Sequence, residues 1–362
     1  MYFLKNQLMM DIFIRSASQI SFQQPLDMQW LTEPIFPSAA FNPPLEPDYK
    51  QFVSPVESRR MGHLLKRAVA VSLDALRKGD CSMPDAVISG TGLGCIENTE
   101  KFLNAVIDNE EECLPPTPFM QSTHNTVSSQ IALKLQCHGY NSTYSHRGTS
   151  FDSALLDAVI QLQLGQIRSA IVGGYDEMTP AYFRMLNKLG YWRTDEDSDV
   201  DSLQKSGRVG SISGSSAVSL LLTSSPSSEK LCQLYGIEAF SCFEKNQLPA
   251  IYHDFLLKYG IVEADIDAVM CGFSGDDSND EMYRYFVAEC CPQSDVLWYK
   301  HLFGESFCAS AFGVYAAACC LHQQKVPTHL YYMKERKRDK IRKILVFNCF
   351  QNIDGSLILL SL

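Results

Sequence analysis

Residues 118–180, PFMQSTHNTVSSQIALKLQCHGYNSTYSHRGTSFDSALLDAVIQLQLGQIRSAIVGGYDEMTP, decide the fold. Apolar spacing predicts a helix over Thr123 to Leu135 and a short strand near Asn141 to Tyr144. A glycine-bearing turn comes next, then a helix from Ser150 to Leu164 and the apolar strand SAIVGGYD at 169–176. A strand that turns into a helix and returns as a buried strand is a βαβ unit, which lays two strands side by side in parallel.

The same grammar extends outward. Upstream, DIFIRSASQI reads as a strand, and Pro34, Pro37, Pro43, Pro44 and Pro47 mark an irregular stretch. A helix then runs at about 59–78, with Leu64, Leu65, Ala68, Val71 and Ala75 at helical spacing, and DAVISGTGLG reads as a buried strand entering a glycine turn. Downstream, GSSAVSLLLTS at 214–224 is a strand, SSPSS at 224–228 a linker, and KLCQLYGIEAFSCF a further strand region. A helix near 247–259, the strand DAVMCGF, helices at 280–290 and 310–322, and the strands ILVFNCF and GSLILLSL complete the chain. The expectation is an α/β protein of two similar halves, 1–224 and 225–362, each with strands flanking a helix.

Composition excludes several function classes. Of the 362 residues, 46% are hydrophobic and 20% charged, an ordinary globular balance, and the formal charge of -10 disfavours nucleic acid or an anionic membrane surface. One basic block stands apart, Lys334 to Arg342, which reads as a solvated loop. The thirteen cysteines fall mainly in apolar runs such as AAACCL, as buried reduced thiols do in a cytoplasmic protein. No CxxC pair occurs and the eight histidines are scattered, so no metal site and no cofactor are expected. The N-terminal MYFLKNQLMMDIFI lacks the features of a signal peptide, and no apolar run is long enough to span a bilayer.

Four stretches in order resemble the β-ketoacyl synthase family: SGTGLGCIENTEKFL at 89–103, the segment from Pro118 to Pro180, GRVGSISGSSAVSLLL from Gly207, and FNCFQNIDGSLILL from Phe347. The resemblance covers roughly residues 60–362 and implies the thiolase fold, a duplicated α-β-α-β-α sandwich of five layers. It also implies a dimer whose sheets continue across the interface.

Active family members use a cysteine at a helix N-terminus, where the helix lowers the thiol pKa and backbone N–H groups stabilise an oxyanion, together with two histidines. The matching nucleophile stretch is Thr143-Tyr144-Ser145-His146-Arg147-Gly148, with Ser145 in the cysteine position. Counting back from Asn279-Asp280 places Gly272 and Phe273 where one motif has His-Gly. In the second histidine motif Lys300 and Gly304 are kept, and Glu305 takes the histidine position. Phe350 matches the gate phenylalanine, but the flanking glycines have become Cys349, Gln351 and Asn352, so the gate is expected to be fixed. Phe273 is expected beside this substrate channel.

A serine is a far poorer nucleophile than a thiolate and requires an adjacent base. Ser145 is equally accounted for as a cap of the next helix, and a dyad with the neighbouring His146 is disfavoured because sequential side chains at a turn point apart. Cys137 and Cys271 read as inert core thiols. The resemblance with its losses implies a subunit of the chain-length-factor type. Such a subunit pairs with an active ketosynthase in polyketide, aryl-polyene or fatty-acid-type biosynthesis and meets an acyl carrier protein, for which the basic block is a candidate contact. The alternatives are an acyltransferase or malonyl decarboxylase using Ser145, acting as a homodimer, and an acyl-chain binding protein acting alone.

Overall fold

The computed structural model describes residues 10–205, 207–225, 230–332 and 340–362. The start of the chain, the core of the expected linker at 226–229 and the basic run at 334–339 lie outside the described residues.

The strands are β1 (Phe13–Ile20), β2 (Ala86–Gly90), β3 (Tyr140–Tyr144), β4 (Ser169–Asp176), β5 (Ser216–Thr223), β6 (Cys232–Ser241), β7 (Ala268–Cys271), β8 (Asp295–Trp298), β9 (Lys343–Phe350) and β10 (Asp354–Ser361). The helices of the first half are α1 (Pro55–Ser58), α2 (His63–Lys78), α3 (Ile96–Asp108), α4 (Pro116–Ser122), α5 (Thr126–Leu135), α6 (Ser150–Gln163), α7 (Pro180–Lys188) and α8 (Val200–Leu203). Those of the second are α9 (Leu248–Tyr259), α10 (Asp277–Cys290), α11 (Lys300–Phe303) and α12 (Ser310–Gln323).

All ten strands form one sheet in the order β3-β2-β4-β5-β1-β6-β10-β9-β7-β8. Read inward from either end, the pairings run parallel, parallel, antiparallel, antiparallel, and the two runs meet where β1 touches β6 through Phe13–Gln233 and Ile14–Cys232. Helices α6 and α12 contact strands of both runs, while α2 and α5 cover one outer face and α9 and α10 the other. The result is the five-layered α/β sandwich. Its central core holds Phe151, Leu155, Phe312 and Tyr315 among others, and separate cores lie under the outer helices. Buried on every side, α12 is apolar all round, as AFGVYAAACCL requires.

Several elements are absent from the sequence reading, among them α3, α7 and β8. Helices α3 and α7 carry apolar residues at helical spacing, Phe102 and Val106 in one and Phe183 and Leu186 in the other, but these stay half-buried, and only Asn98 of α3 and no residue of α7 is buried. Strand β8 is too short to announce itself. The helix expected from Thr123 to Leu135 begins at Thr126, because Thr123 turns extended at ψ 142°, and a separate short helix α4 precedes it. Helix α10 begins at Asp277, earlier than expected, because the Asp276 carboxylate accepts from the Ser278 and Asn279 N–H groups and caps it. At one end of the sheet β3 pairs only with β2 among the described residues, leaving its other edge open. No described helix is long and apolar enough to cross a membrane. All thirteen cysteines are free, nine of them buried.

Candidate functional site

Strand β8 leads into α11, and Gly304 then turns the chain at φ +73° so that Glu305 folds back onto Lys300. A side chain at Gly304 would sit 2.5 Å from the Gly214 nitrogen, and its backbone angle also calls for glycine. Glu305 is clipped to the neighbouring segment, its N–H donating to Ile212 O at 2.8 Å and its carbonyl accepting from Gly214 N at 3.0 Å. Lys300 Nζ then donates to Glu305 Oε2 at 2.6 Å, with the lysine side chain 3% exposed and the glutamate 20%. The two charges satisfy each other in a largely dry place.

Gly272 comes directly after the end of β7. A Cβ there would lie 2.5 Å from Tyr283 Oη and 3.2 Å from Lys300 Cε, so the space beside Gly272 is filled by a tyrosine and the lysine stem. Tyr283 Oη donates to Cys349 O at 2.8 Å and accepts from Cys349 N at 2.9 Å. Asp280 of the same motif accepts from the Ser274 and Gly275 N–H groups, and burial raises its carboxyl to about 6.

Ser145 lies elsewhere, exposed beyond the end of β3, and lines neither of the cavities at Phe350. The structure brings Lys300, Glu305, Gly272 and Phe350 into one neighbourhood and leaves Ser145 outside it. The capping expected of Ser145 is not made: the N-cap of α6 is Thr149, without a side-chain cap bond, and the turn is held instead by Ser150 Oγ, which accepts from His146 N at 2.9 Å and donates to Arg147 O at 2.7 Å, and by Thr149 Oγ1, which donates to His146 O. The His146 ring pairs with Ser153 Oγ at 3.1 Å, in the first turns of α6, rather than with Ser145. Cys137 donates to Pro84 O, and burial pushes the Cys271 thiol well up, away from the reactive thiolate.

Phe350 ends β9 at the tip of the β9–β10 hairpin and sits on the nucleophile-turn glycine: a Cβ on Gly148 would lie 2.1 Å from Phe350 Cγ. Its ring meets Phe307 at 5.3 Å. Gln351 and Asn352 keep a glycine-like left-handed backbone, φ +51° and +56°, although neither is glycine. Their side chains tie the tip down, Gln351 Nε2 to Tyr191 Oη at 2.9 Å and Asn352 Nδ2 to Ser278 O at 3.1 Å.

A cavity of about 330 Å³ opens here, walled by Tyr191, Trp192, Ser274, Asn279, Glu305 and Phe350. A narrow cleft of about 40 Å³ shares Tyr191, Trp192, Glu305 and Phe350 with it and adds Asp176, Glu177 and Phe307. Four carboxylates line the two, from Asp176, Glu177, Asp276 and Glu305, and among the described residues no lysine, arginine or histidine does. Phe273, expected beside the channel, is in the core instead, its ring stacked on Tyr332 at 3.8 Å. The wall residues Tyr191 and Trp192 and the filler Tyr283 do not stand out in the sequence. Aromatics outside a motif carry no local mark of what they face.

Residues 28–192 match the profile of the beta-ketoacyl synthase N-terminal domain. No curated protein sequence matches the chain. Among solved structures, the ishigamide ketosynthase/chain length factor is similar at a TM-score of 0.79 and 17% identity, over 97% of this chain and 99% of that one. A beta-ketoacyl synthase from Burkholderia phymatum STM815 is similar at 0.80 and 15%, over 98% and 100%. The ketosynthase ApeO in complex with its chain length factor ApeC from Xenorhabdus doucetiae is similar at 0.77 and 15%, over 98% of both chains. Residues 28–192 are thus similar to the N-terminal domain of the β-ketoacyl synthase family, and over nearly its whole length the chain has the thiolase-like fold of the solved ketosynthases.

Proposed function

We propose that this chain is a non-condensing ketosynthase-like subunit that pairs with an active ketosynthase and shapes the cavity in which the partner's acyl chain grows. The observation that carries the reading is the filling of the reaction centre: Glu305 is bonded to Lys300 at one histidine position, and Tyr283 with the Lys300 stem occupies the other. The relatives of known assembly point the same way, since two are ketosynthase and chain length factor pairs. The open edge of β3, flanked by exposed Leu133 of α5 and Ile160 of α6, is a surface suited to continuing the sheet into a partner. The halves 1–224 and 225–362 are then two copies of one unit, of which only the first faces the partner.

The alternative, acyl transfer through Ser145, lacks a base beside the serine, because Glu305 and Ser145 do not share a cavity. Co-expression with a ketosynthase carrying an intact Cys-His-His set tests the proposal. A stable 1:1 heterodimer that condenses only with the partner's cysteine present is expected. A homodimer that condenses by itself, or a carrier-derived acyl adduct lost in Ser145→Ala, would overturn it.

A further inference from the structure

Asp152 stands in the first turn of α6 and is completely buried, and its carboxylate gathers three neutral donors. Ser356 Oγ donates to Oδ1 at 2.9 Å, and Ser310 Oγ and Asn348 Nδ2 donate to Oδ2 at 3.1 Å each. Asn348 Nδ2 also donates to Gly148 O at 3.0 Å. Asn348 of β9 and Ser356 of β10 are directly opposite each other in the hairpin register. One buried carboxylate thus holds both strands of the hairpin at a single rung, two residues below Phe350. On the other face, Tyr283 Oη holds both backbone groups of Cys349. Burying a carboxylate among neutral partners is costly unless its hydrogen bonds are needed.

We propose that Asp152 is a positioning residue that locks the β9–β10 hairpin against the nucleophile turn, and thereby fixes Phe350 as a permanent wall of the cavity. The inference rests on the reading of this site as one that does not turn over. The hairpin is held as a clamp, and the clamp acts through Asn348, which bridges Asp152 to the Gly148 carbonyl. The cavity's shape is then a constant of the fold that no ligand needs to induce.

Hydrogen exchange on the full chain, tracked by mass spectrometry across residues 345–358, reads the clamp directly. Exchange in Asp152→Asn is expected to rise at least about tenfold in this hairpin, since an amide cannot satisfy all three donors, with β1 and α2 unchanged. Acrylamide quenching gives an independent reading: of the three tryptophans, Trp30 and Trp298 are 0% and 1% exposed, so added quenching reports Trp192 beside Phe350. Ser356→Ala, which removes one donor and leaves the carboxylate, should move both signals in the same direction by less. Unchanged exchange in the hairpin, or an equal rise throughout the chain, would overturn the proposal. Heterodimer formation, measured separately, is left intact by that failure, so the clamp and the subunit role fall independently.

Discussion

Two parts of the neighbourhood that the family resemblance assigns to one site differ sharply here: Gly148 of the nucleophile turn stays against Phe350, whereas Ser145 of the same turn lies outside the cavities. Around Ser145 the chain is exposed, and its hydrogen bonds are local ones made by Ser150 and Thr149. Around Gly272 and Glu305 every gap is filled, by Tyr283, by the Lys300 stem and by the Phe350 hairpin. The contrast teaches how differently a surface position and an interior position constrain the residues around them. A surface position relaxes to whatever is harmless, whereas an interior position must be repacked, because an empty space or an unpaired charge in the core is expensive.

The contrast can be broken at several points. Glu305→Ala strands the Lys300 ammonium in a dry place and is expected to cost about 3–5 kcal/mol in urea unfolding. A loss below about 1 kcal/mol would show that water reaches the lysine. The next effect is tied to pH. Burial raises the Asp152 carboxyl from its ordinary 3.8 to about 6, so the folded chain holds the proton more tightly than the unfolded chain. Stability from this group is complete below about 3.8 and is lost as pH rises through about 6, a total of about 3 kcal/mol. Glu177, raised to about 7, and Asp280, raised to about 6, act in the same direction. The thermal midpoint of the wild type should therefore fall between about pH 5 and about pH 7.5, with a shallower fall in Asp152→Asn, and equal slopes would contradict the burial of that charge.

Gly148→Ala drives a methyl group into Phe350 and should cost about 2 kcal/mol while increasing the quenching of Trp192. At the other region, Ser145→Ala is expected to change stability by less than about 0.5 kcal/mol and to leave the mass of the protein unaltered after incubation with acyl carrier protein. A large loss of stability there would mean that the exposed turn is itself packed against something in the assembly.

Much of this site is written locally. Lys300, Gly304 and Glu305 fall at fixed spacing, so their neighbourhood comes from one short helix and one turn, although the ion pair between them is seen only in the structure. The order of strands is legible for the same reason, since β4, β5, β9 and β10 are long apolar runs bounded by turns. What stays illegible depends on distance along the chain. Asp152 reads as one more polar residue of a helix, and its three donors come from 158, 196 and 204 residues away. The filling of Gly272 by Tyr283 is invisible for the same reason. Phe273 neighbours Gly272 in sequence, which suggests the channel, although its ring turns into the core. Helices α3 and α7 do carry apolar residues at helical spacing, although these stay half-buried at the surface.

The open side of β3 sets a demand on supply. Its sequence, Tyr-Asn-Ser-Thr-Tyr, contains neither the proline nor the lysine with which a free strand edge is blunted against unwanted pairing. Under the proposed pairing, chains made in excess of the partner would carry that bare edge into solution and pair with one another. The production of this protein is thus expected to be matched to that of whatever covers the edge, and its yield when expressed alone should fall as its concentration rises.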